Sequence, residues 1–103
     1  MMKAATIAAL FAALLVPSGD AENGAALFKS NCRMCHAPAS TDAGIGPGLK
    51  GLFKNEKLPA SKRPATEANV RKQILEGGNG MPPFEGRLSA AEVDDLIAYL
   101  KTL

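Results

Sequence analysis

The only two cysteines and the only histidine of this 103-residue chain stand together in the segment NCRMCH, as Cys32, Cys35 and His36. Thiolates and imidazoles bind metals, and a thiol also forms covalent bonds with another thiol or with an electrophilic cofactor. The spacing Cys-x-x-Cys-His therefore allows four kinds of site: a structural disulfide, a redox-active cysteine pair, a zinc site, or covalent attachment of haem.

Three of these sites fit the sequence poorly. A disulfide across two intervening residues closes a very small loop and constrains little of the unfolded chain. A thioredoxin-like pair belongs near a strand-helix-strand pattern, and residues 22–103 contain no alternating β-branched run. A zinc site usually has four ligands, and the sequence has no fourth Cys or His. The motif thus favours one haem c, attached through Cys32 and Cys35, with His36 bound to the iron.

The second axial ligand of the iron is predicted by elimination among the four methionines. Met1 and Met2 lie in the apolar N-terminal segment, and Met34 lies between the two cysteines. Met81 remains, within the segment EGGNGMPPFEG, whose glycines permit a close approach of the backbone to a flat ring and whose prolines then restrict it. The alternative for Met81 is that it only fills a gap in the core.

These segments together resemble a short class I cytochrome c, over residues 22–103. The matching pieces are a helix before CRMCH, the loop GIGPGL after it, the ligand loop GMPPF and a closing helix. The resemblance implies a small all-α fold of about three to four helices wrapped around one covalently attached haem. It implies the ligand roles given above, and also that the carbonyl of Pro47 accepts a hydrogen bond from the His36 imidazole.

Three helices are predicted to position these residues. The first covers 23–31 and ends beside the attachment motif. The second covers about 67–76, with Thr66 as its N-cap and two glycines as its stop. The third begins at Ser89, which forms a capping box with Glu92. It carries a buried stripe of Val93, Leu96, Ile97 and Leu100. The resemblance implies that the first and last helices pack together, through Gly24, Phe28, Leu96 and Tyr99.

The N-terminal segment has the composition of a secretory signal peptide. Lys3 precedes an apolar run over residues 4–16, and small and polar residues follow. That run is shorter than the about 20 residues that a membrane helix needs. The sequence therefore predicts a signal peptide over 1–21, one cytochrome c domain over 22–103, no membrane span after cleavage, and a location in the periplasm.

The mild charge of the chain limits its partners. A formal net charge of +2 is below the basic balance of a nucleic-acid-binding protein, so no nucleic acid is expected. It suits brief docking to acidic surfaces of redox proteins. The predicted docking surface, which we call the basic rim, comprises Lys29, Arg33, Lys50 and Lys54.

An iron with both axial positions filled by protein side chains leaves no easy place for a substrate. The predicted function is therefore that of a soluble, monomeric one-electron carrier, not an enzyme, which moves electrons between exported or membrane redox proteins. One alternative is a haem subunit of a dehydrogenase or oxidase complex. Another is a haem sensor or a peroxidase-like enzyme, which the lack of a second histidine disfavours.

Overall fold

Three α-helices and one short 3₁₀ helix make up the regular structure of residues 19–103, the part of the chain that this computed structural model describes. The helices are α1 (Ala21–Asn31), α2 (Glu67–Glu76) and α3 (Ala90–Leu100), and the 3₁₀ helix is Leu52–Lys54. No β-strand occurs among residues 19–103, where the only ladder contacts are isolated bridges. The predicted all-α fold is confirmed, whereas nearly all of the predicted signal peptide lies outside the described residues.

The second and third helices begin at the predicted caps. The Thr66 hydroxyl accepts a hydrogen bond from the backbone N–H of Asn69, at 3.2 Å. Ser89 and Glu92 exchange the two reciprocal bonds of a capping box. Both signals are local in sequence, so they can be recognised without knowledge of the tertiary structure.

The first helix begins two residues earlier than predicted. Its N-cap is Asp20, whose carboxylate accepts hydrogen bonds from the backbone N–H groups of Glu22, at 2.9 Å, and Asn23, at 3.3 Å. An aspartate is among the best N-cap residues, because it satisfies N–H groups that have no partner within the helix. The predicted cleavage point after Ala21 therefore lies inside α1.

Helices α1 and α3 cross at very short distance, and a glycine makes this possible. Gly24 is buried, and a Cβ atom built on it would lie 1.9 Å from the carbonyl oxygen of Asp95 and 2.8 Å from the Cβ of Tyr99. One turn later, the rings of Phe28 and Tyr99 pack with their centroids 5.3 Å apart and tilted by 50°. The expected packing of Gly24 and Phe28 on the last helix is confirmed.

A polar cluster fastens the start of α1 to α3. The backbone N–H of Asp20 donates to Oδ1 of Asp95 at 2.8 Å, and the side-chain amide of Asn23 donates to its Oδ2 at 2.7 Å. The bond from Asn23, and then that from Asp20, lower the pKa of the Asp95 carboxyl below its ordinary value. The ionised form of Asp95 is thus the form that the fold stabilises.

This cluster predicts a pH dependence of stability. Because the pKa of Asp95 is lower in the folded than in the unfolded protein, its contribution is fully present above the unfolded value and is lost as the pH falls through the folded value. Thermal unfolding between pH 6 and pH 2.5 should therefore show a steeper loss of Tm for the native protein than for Asp95→Asn. The exposed Asp42 supplies the control, since Asp42→Asn removes the same charge and should keep the native slope. If Tm fell equally steeply with pH in all three proteins, the polar cluster around Asp95 would not stabilise the fold as predicted.

Helix α2 is connected to α3 and its end by two ion pairs, Arg71 with Asp94 and Lys101 with Glu67. All four side chains are partly exposed, so each pair contributes only about 0–1 kcal/mol. The larger contribution comes from the apolar core, into which α2 directs Val70 and Ile74. No helix among the described residues has the length and apolar character needed to cross a membrane.

Candidate functional site

All three helices and the loops between them surround an apolar cavity of about 240 Å³. The five predicted site residues, Cys32, Cys35, His36, Pro47 and Met81, all line this cavity. Most of the remaining wall is apolar, with Phe28, Leu49, Leu52, Leu58, Val70, Ile74, Phe84, Leu96 and Leu100. The fold therefore gathers side chains from distant parts of the sequence around one space with the character of a binding site for an apolar group.

The two thiols and the imidazole follow directly from the end of α1. Cys32 caps that helix, since its N–H donates to the carbonyl of Phe28 at 2.8 Å. Its own carbonyl then accepts from the N–H groups of Cys35, at 3.1 Å, and His36, at 2.9 Å. The motif thus continues as a tight turn, so that α1 determines where all three reactive side chains enter the cavity.

The thiol of Cys32 is not prepared for redox chemistry. Burial, and next the nearby Cys35, raise its pKa to about 11. A catalytic Cys-x-x-Cys pair requires the opposite, a thiol whose pKa is lowered so that the thiolate is present. Cys32 and Cys35 do not form a disulfide with each other. The environment therefore disfavours the thioredoxin-like alternative and agrees with sulfurs that serve as attachment points.

The imidazole of His36 is oriented by the loop that follows it. Its Nδ1 lies 2.8 Å from the carbonyl oxygen of Pro47. Because a carbonyl only accepts, the neutral ring carries its hydrogen on Nδ1, and Nε2 keeps a free lone pair. The loop reaches the ring only because position 46 is glycine: a Cβ on Gly46 would lie 2.6 Å from Cε1 of His36. The site thus presents one imidazole nitrogen as a metal ligand.

The thioether of Met81 is held by a tight turn. The N–H of Met81 donates to the carbonyl of Gly78 at 3.0 Å, and the N–H of Gly78 donates to the carbonyl of Met81 at 2.9 Å. The central residues, Asn79 and Gly80, have φ of +53° and +90°, the left-handed backbone that an Asn-Gly pair adopts readily. Met81 is half-buried against the core, so the loop keeps its sulfur at the wall of the cavity.

Sequence reasoning missed Gln73, which lies on α2 and faces this loop. Its side-chain amide donates to the carbonyl of Gly77 at 3.1 Å and lies 3.7 Å from Sδ of Met81. A glutamine on a helix has no sequence signal for such a role, because only the tertiary fold brings it to the loop. Gln73 therefore positions the Met81 segment rather than acting as a ligand.

The residues present fit a covalently attached haem. An imidazole nitrogen and a thioether sulfur are donors that haem iron accepts, and two thiols line the same cavity. The close approach of the Gly46 loop to His36 leaves Nε2 as the imidazole nitrogen available to a metal. When bound, haem supplies an iron that alternates between the ferrous and the ferric state.

Comparison with known proteins finds relatives that are named as cytochromes. Residues 19–100 match the family described as cytochrome c oxidase, cbb3-type, subunit III. The chain is 34% identical over 91 residues to a cytochrome c-553-like protein of Synechocystis sp., covering 87% of this chain and 75% of that protein. It is 36% identical over 81 residues to cytochrome c6 of Bumilleriopsis filiformis, covering 79% and 88%.

The fold is also that of a solved relative. The structure of cytochrome c6 from the diatom Phaeodactylum tricornutum matches with a TM-score of 0.61 and 34% identity, over 82% of this chain and 93% of that one. The attachment motif, the cavity and these likenesses lead to one conclusion. The chain belongs to the cytochrome c family, among its small monohaem class I members, and carries one covalently bound haem c.

Proposed function

We propose that this protein is a one-electron carrier in which His36 and Met81 bind the haem iron and Cys32 and Cys35 form the thioether bonds. The observation that carries the proposal is that these four side chains line one apolar cavity, three from the end of α1 and one from the loop after α2. The soft sulfur of Met81 favours the ferrous state, and an apolar wall disfavours the extra charge of the ferric state. The reduction potential is therefore raised.

In this proposal His36 and Met81 position the haem and do no chemistry on a substrate. His36 donates from Nδ1 to Pro47, which keeps the ring orientation constant and increases the basicity of Nε2. Met81, held by its turn, would fill the coordination position at which a small molecule could otherwise bind. Because little rearranges around such a site when one electron is gained or lost, the protein suits transfer better than catalysis.

The experiment that tests this function is voltammetry of the holoprotein, combined with a peroxide assay. We expect one reversible one-electron wave and no turnover of hydrogen peroxide. Among the described residues no carboxylate lines the cavity to act as an acid or base, and His36 and Met81 would fill both coordination positions. Carbon monoxide binding by the native ferrous protein, or rapid peroxide consumption, would instead favour the sensor or the peroxidase-like enzyme.

The proposed docking surface is the basic rim, together with two exposed apolar side chains. Lys29, Arg33, Lys50 and Lys54 are all exposed. Met34 and Ile45 are 86% and 79% exposed, and Ile45 also lines the cavity. Cations that steer an acidic partner and an apolar contact at the cavity mouth support brief, specific docking of a monomer.

The basic rim predicts how charge affects electron transfer. Oxidation by the anion ferricyanide should be slowed by Arg33→Glu, by about three- to tenfold at low ionic strength, and salt should reduce the difference. Oxidation by the cation tris(phenanthroline)cobalt(III) should become faster in the same variant. Lys72→Glu, an equal charge change on α2, is the control and should affect both reactions less. Equal effects of the two variants in stopped-flow measurements would argue against a localised rim.

A second candidate function has one observation in its favour. The family that matches residues 19–100 is described as a subunit of an oxidase, so the domain also suits a haem subunit of a respiratory complex. Native purification separates the two candidates: a carrier leaves the cell envelope without detergent, whereas a subunit migrates with a larger haem-containing complex after solubilisation. Export through the predicted signal peptide, with the periplasm as destination, is proposed for both.

A further inference from the structure

We infer that the leader is removed at the Ser18–Gly19 bond, so that the mature protein begins at Gly19 and retains Asp20. The inference rests on the proposed export and differs from a cut after Ala21. Water is consumed in the step: the peptide bond between Ser18 and Gly19 is hydrolysed by a signal peptidase. Ser18 leaves with a carboxylate, and Gly19 acquires the α-amino group.

The first support is the number of contacts that Asp20 makes within the folded domain. Its carboxylate caps α1 through the N–H groups of Glu22 and Asn23. Its carbonyl accepts the first helical hydrogen bond, from the N–H of Gly24 at 2.9 Å. Its own N–H donates to Asp95 on α3. A chain that lacks Asp20 loses all of these bonds together.

A cut after Ala21 would also put the new α-ammonium group at an electrostatically unfavourable position. It would leave an ammonium group on Glu22, within the first turn of α1. The N-terminus of a helix carries a positive partial charge, so a cation there is unfavourable, whereas the carboxylate of Asp20 is favourable. The wrong cut would therefore replace a stabilising charge by a destabilising one at the same end of the helix.

The second support comes from Gly19, which lies against α3. A Cβ on Gly19 would lie 2.5 Å from the carbonyl oxygen of Asp94 and 3.0 Å from the Cβ of Ala98. The backbone thus already follows the surface of α3 one residue before the cap. Such a close approach indicates that the folded domain includes Gly19.

The third support is the sequence at the inferred bond. Signal peptidases require a small residue immediately before the cut, and Ser18 satisfies this requirement. The small residues Gly19 and Ala21 also suit a cut after Ala21, so the sequence alone permits both positions. The contacts of Asp20 are what distinguish them.

The experiment is intact-mass and N-terminal analysis of the full precursor after export and haem attachment in a bacterial periplasm. We expect the mass of residues 19–103 plus one haem. A chain that begins at Asp20, Ala21 or Glu22 would overturn the inference. A haem protein that keeps all 103 residues would overturn it too, and would identify the proposed leader, rather than the position of the cut, as the error. None of these outcomes depends on whether the protein carries electrons.

A second measurement tests the physical reason for retaining Asp20. In the exported holoprotein, Asp20→Ala should lower Tm by about 4–8 °C, because the cap is lost. Asp20→Asn, which keeps a good N-cap, should lie much closer to the native Tm. The mass of each variant establishes that both begin at the same residue. Unchanged Tm in Asp20→Ala would show that the mature fold does not use this residue and would overturn the inference.

Discussion

Met81→Ala should open the haem iron to carbon monoxide and lower the reduction potential by on the order of 0.1 V. The thioether is the only soft donor that the loop after α2 directs to the cavity, and a soft donor stabilises the ferrous state. Alanine cannot replace it, so water or an added ligand would occupy the vacated position. The ferric spectrum should lose the weak near-infrared band that arises from sulfur bound to iron. Ferrous protein should then bind carbon monoxide rapidly.

The matched control is Met34→Ala, which removes the same side chain from the same protein. Met34 lies between the two cysteines, but it is 86% exposed and does not line the cavity. Its spectrum, potential and inertness to carbon monoxide should all remain native. If Met34→Ala lost the near-infrared band and Met81→Ala kept it, the ligand would be wrongly assigned, and the tight turn around Met81 would serve packing alone.

The candidate site could be predicted largely from sequence because its chemistry is encoded locally. Cys32, Cys35 and His36 are consecutive members of one turn, so their spacing alone brings three reactive groups together. Met81 followed by elimination, since so few residues of the chain can bind iron. The caps Thr66 and Ser89 were likewise evident, because each bonds within its own first turn.

The features that escaped prediction depend on contacts between distant segments. Asp20 and its partner Asp95 are 75 residues apart, so the true start of α1 becomes clear only when α3 is present. The contact of Gln73 with the Met81 loop depends on the tertiary position of α2. The need for glycine at position 46 likewise becomes apparent only with the His36 ring beside it. Local patterns therefore predicted the candidate ligands, and the tertiary fold shows what holds them in place.

Among these tertiary contacts, the crossing of α1 and α3 has the closest approach of the two segments. The attachment motif continues directly from the end of α1, and α1 is held in place by α3 through Gly24, Phe28 and the Asp95 cluster. Any change that separates these two helices also displaces the sulfurs and the imidazole relative to Met81. Stability of the fold and geometry of the site are thus coupled through one helix pair.

Gly24→Ala should therefore destabilise the holoprotein by about 3 kcal/mol. In an exposed helix the same change would stabilise by about 1 kcal/mol, because alanine is the better helix former. The sign reverses here because the added Cβ would lie 1.9 Å from a backbone carbonyl of Asp95, which no side-chain rotation relieves. The two helices must move apart, and the packing of Phe28 on Tyr99 weakens with them.

Denaturant unfolding of the holoprotein, followed by circular dichroism, measures this effect. Gly44→Ala provides the control, since a Cβ at Gly44 meets nothing within 4 Å, and its free energy of unfolding should change by less than about 0.5 kcal/mol. Should Gly24→Ala prove as stable as Gly44→Ala, the close crossing of α1 and α3 would be refuted. If Gly24→Ala is instead less stable than Gly44→Ala and also gains partial carbon monoxide binding, the crossing of α1 and α3 also maintains the distance between His36 and Met81.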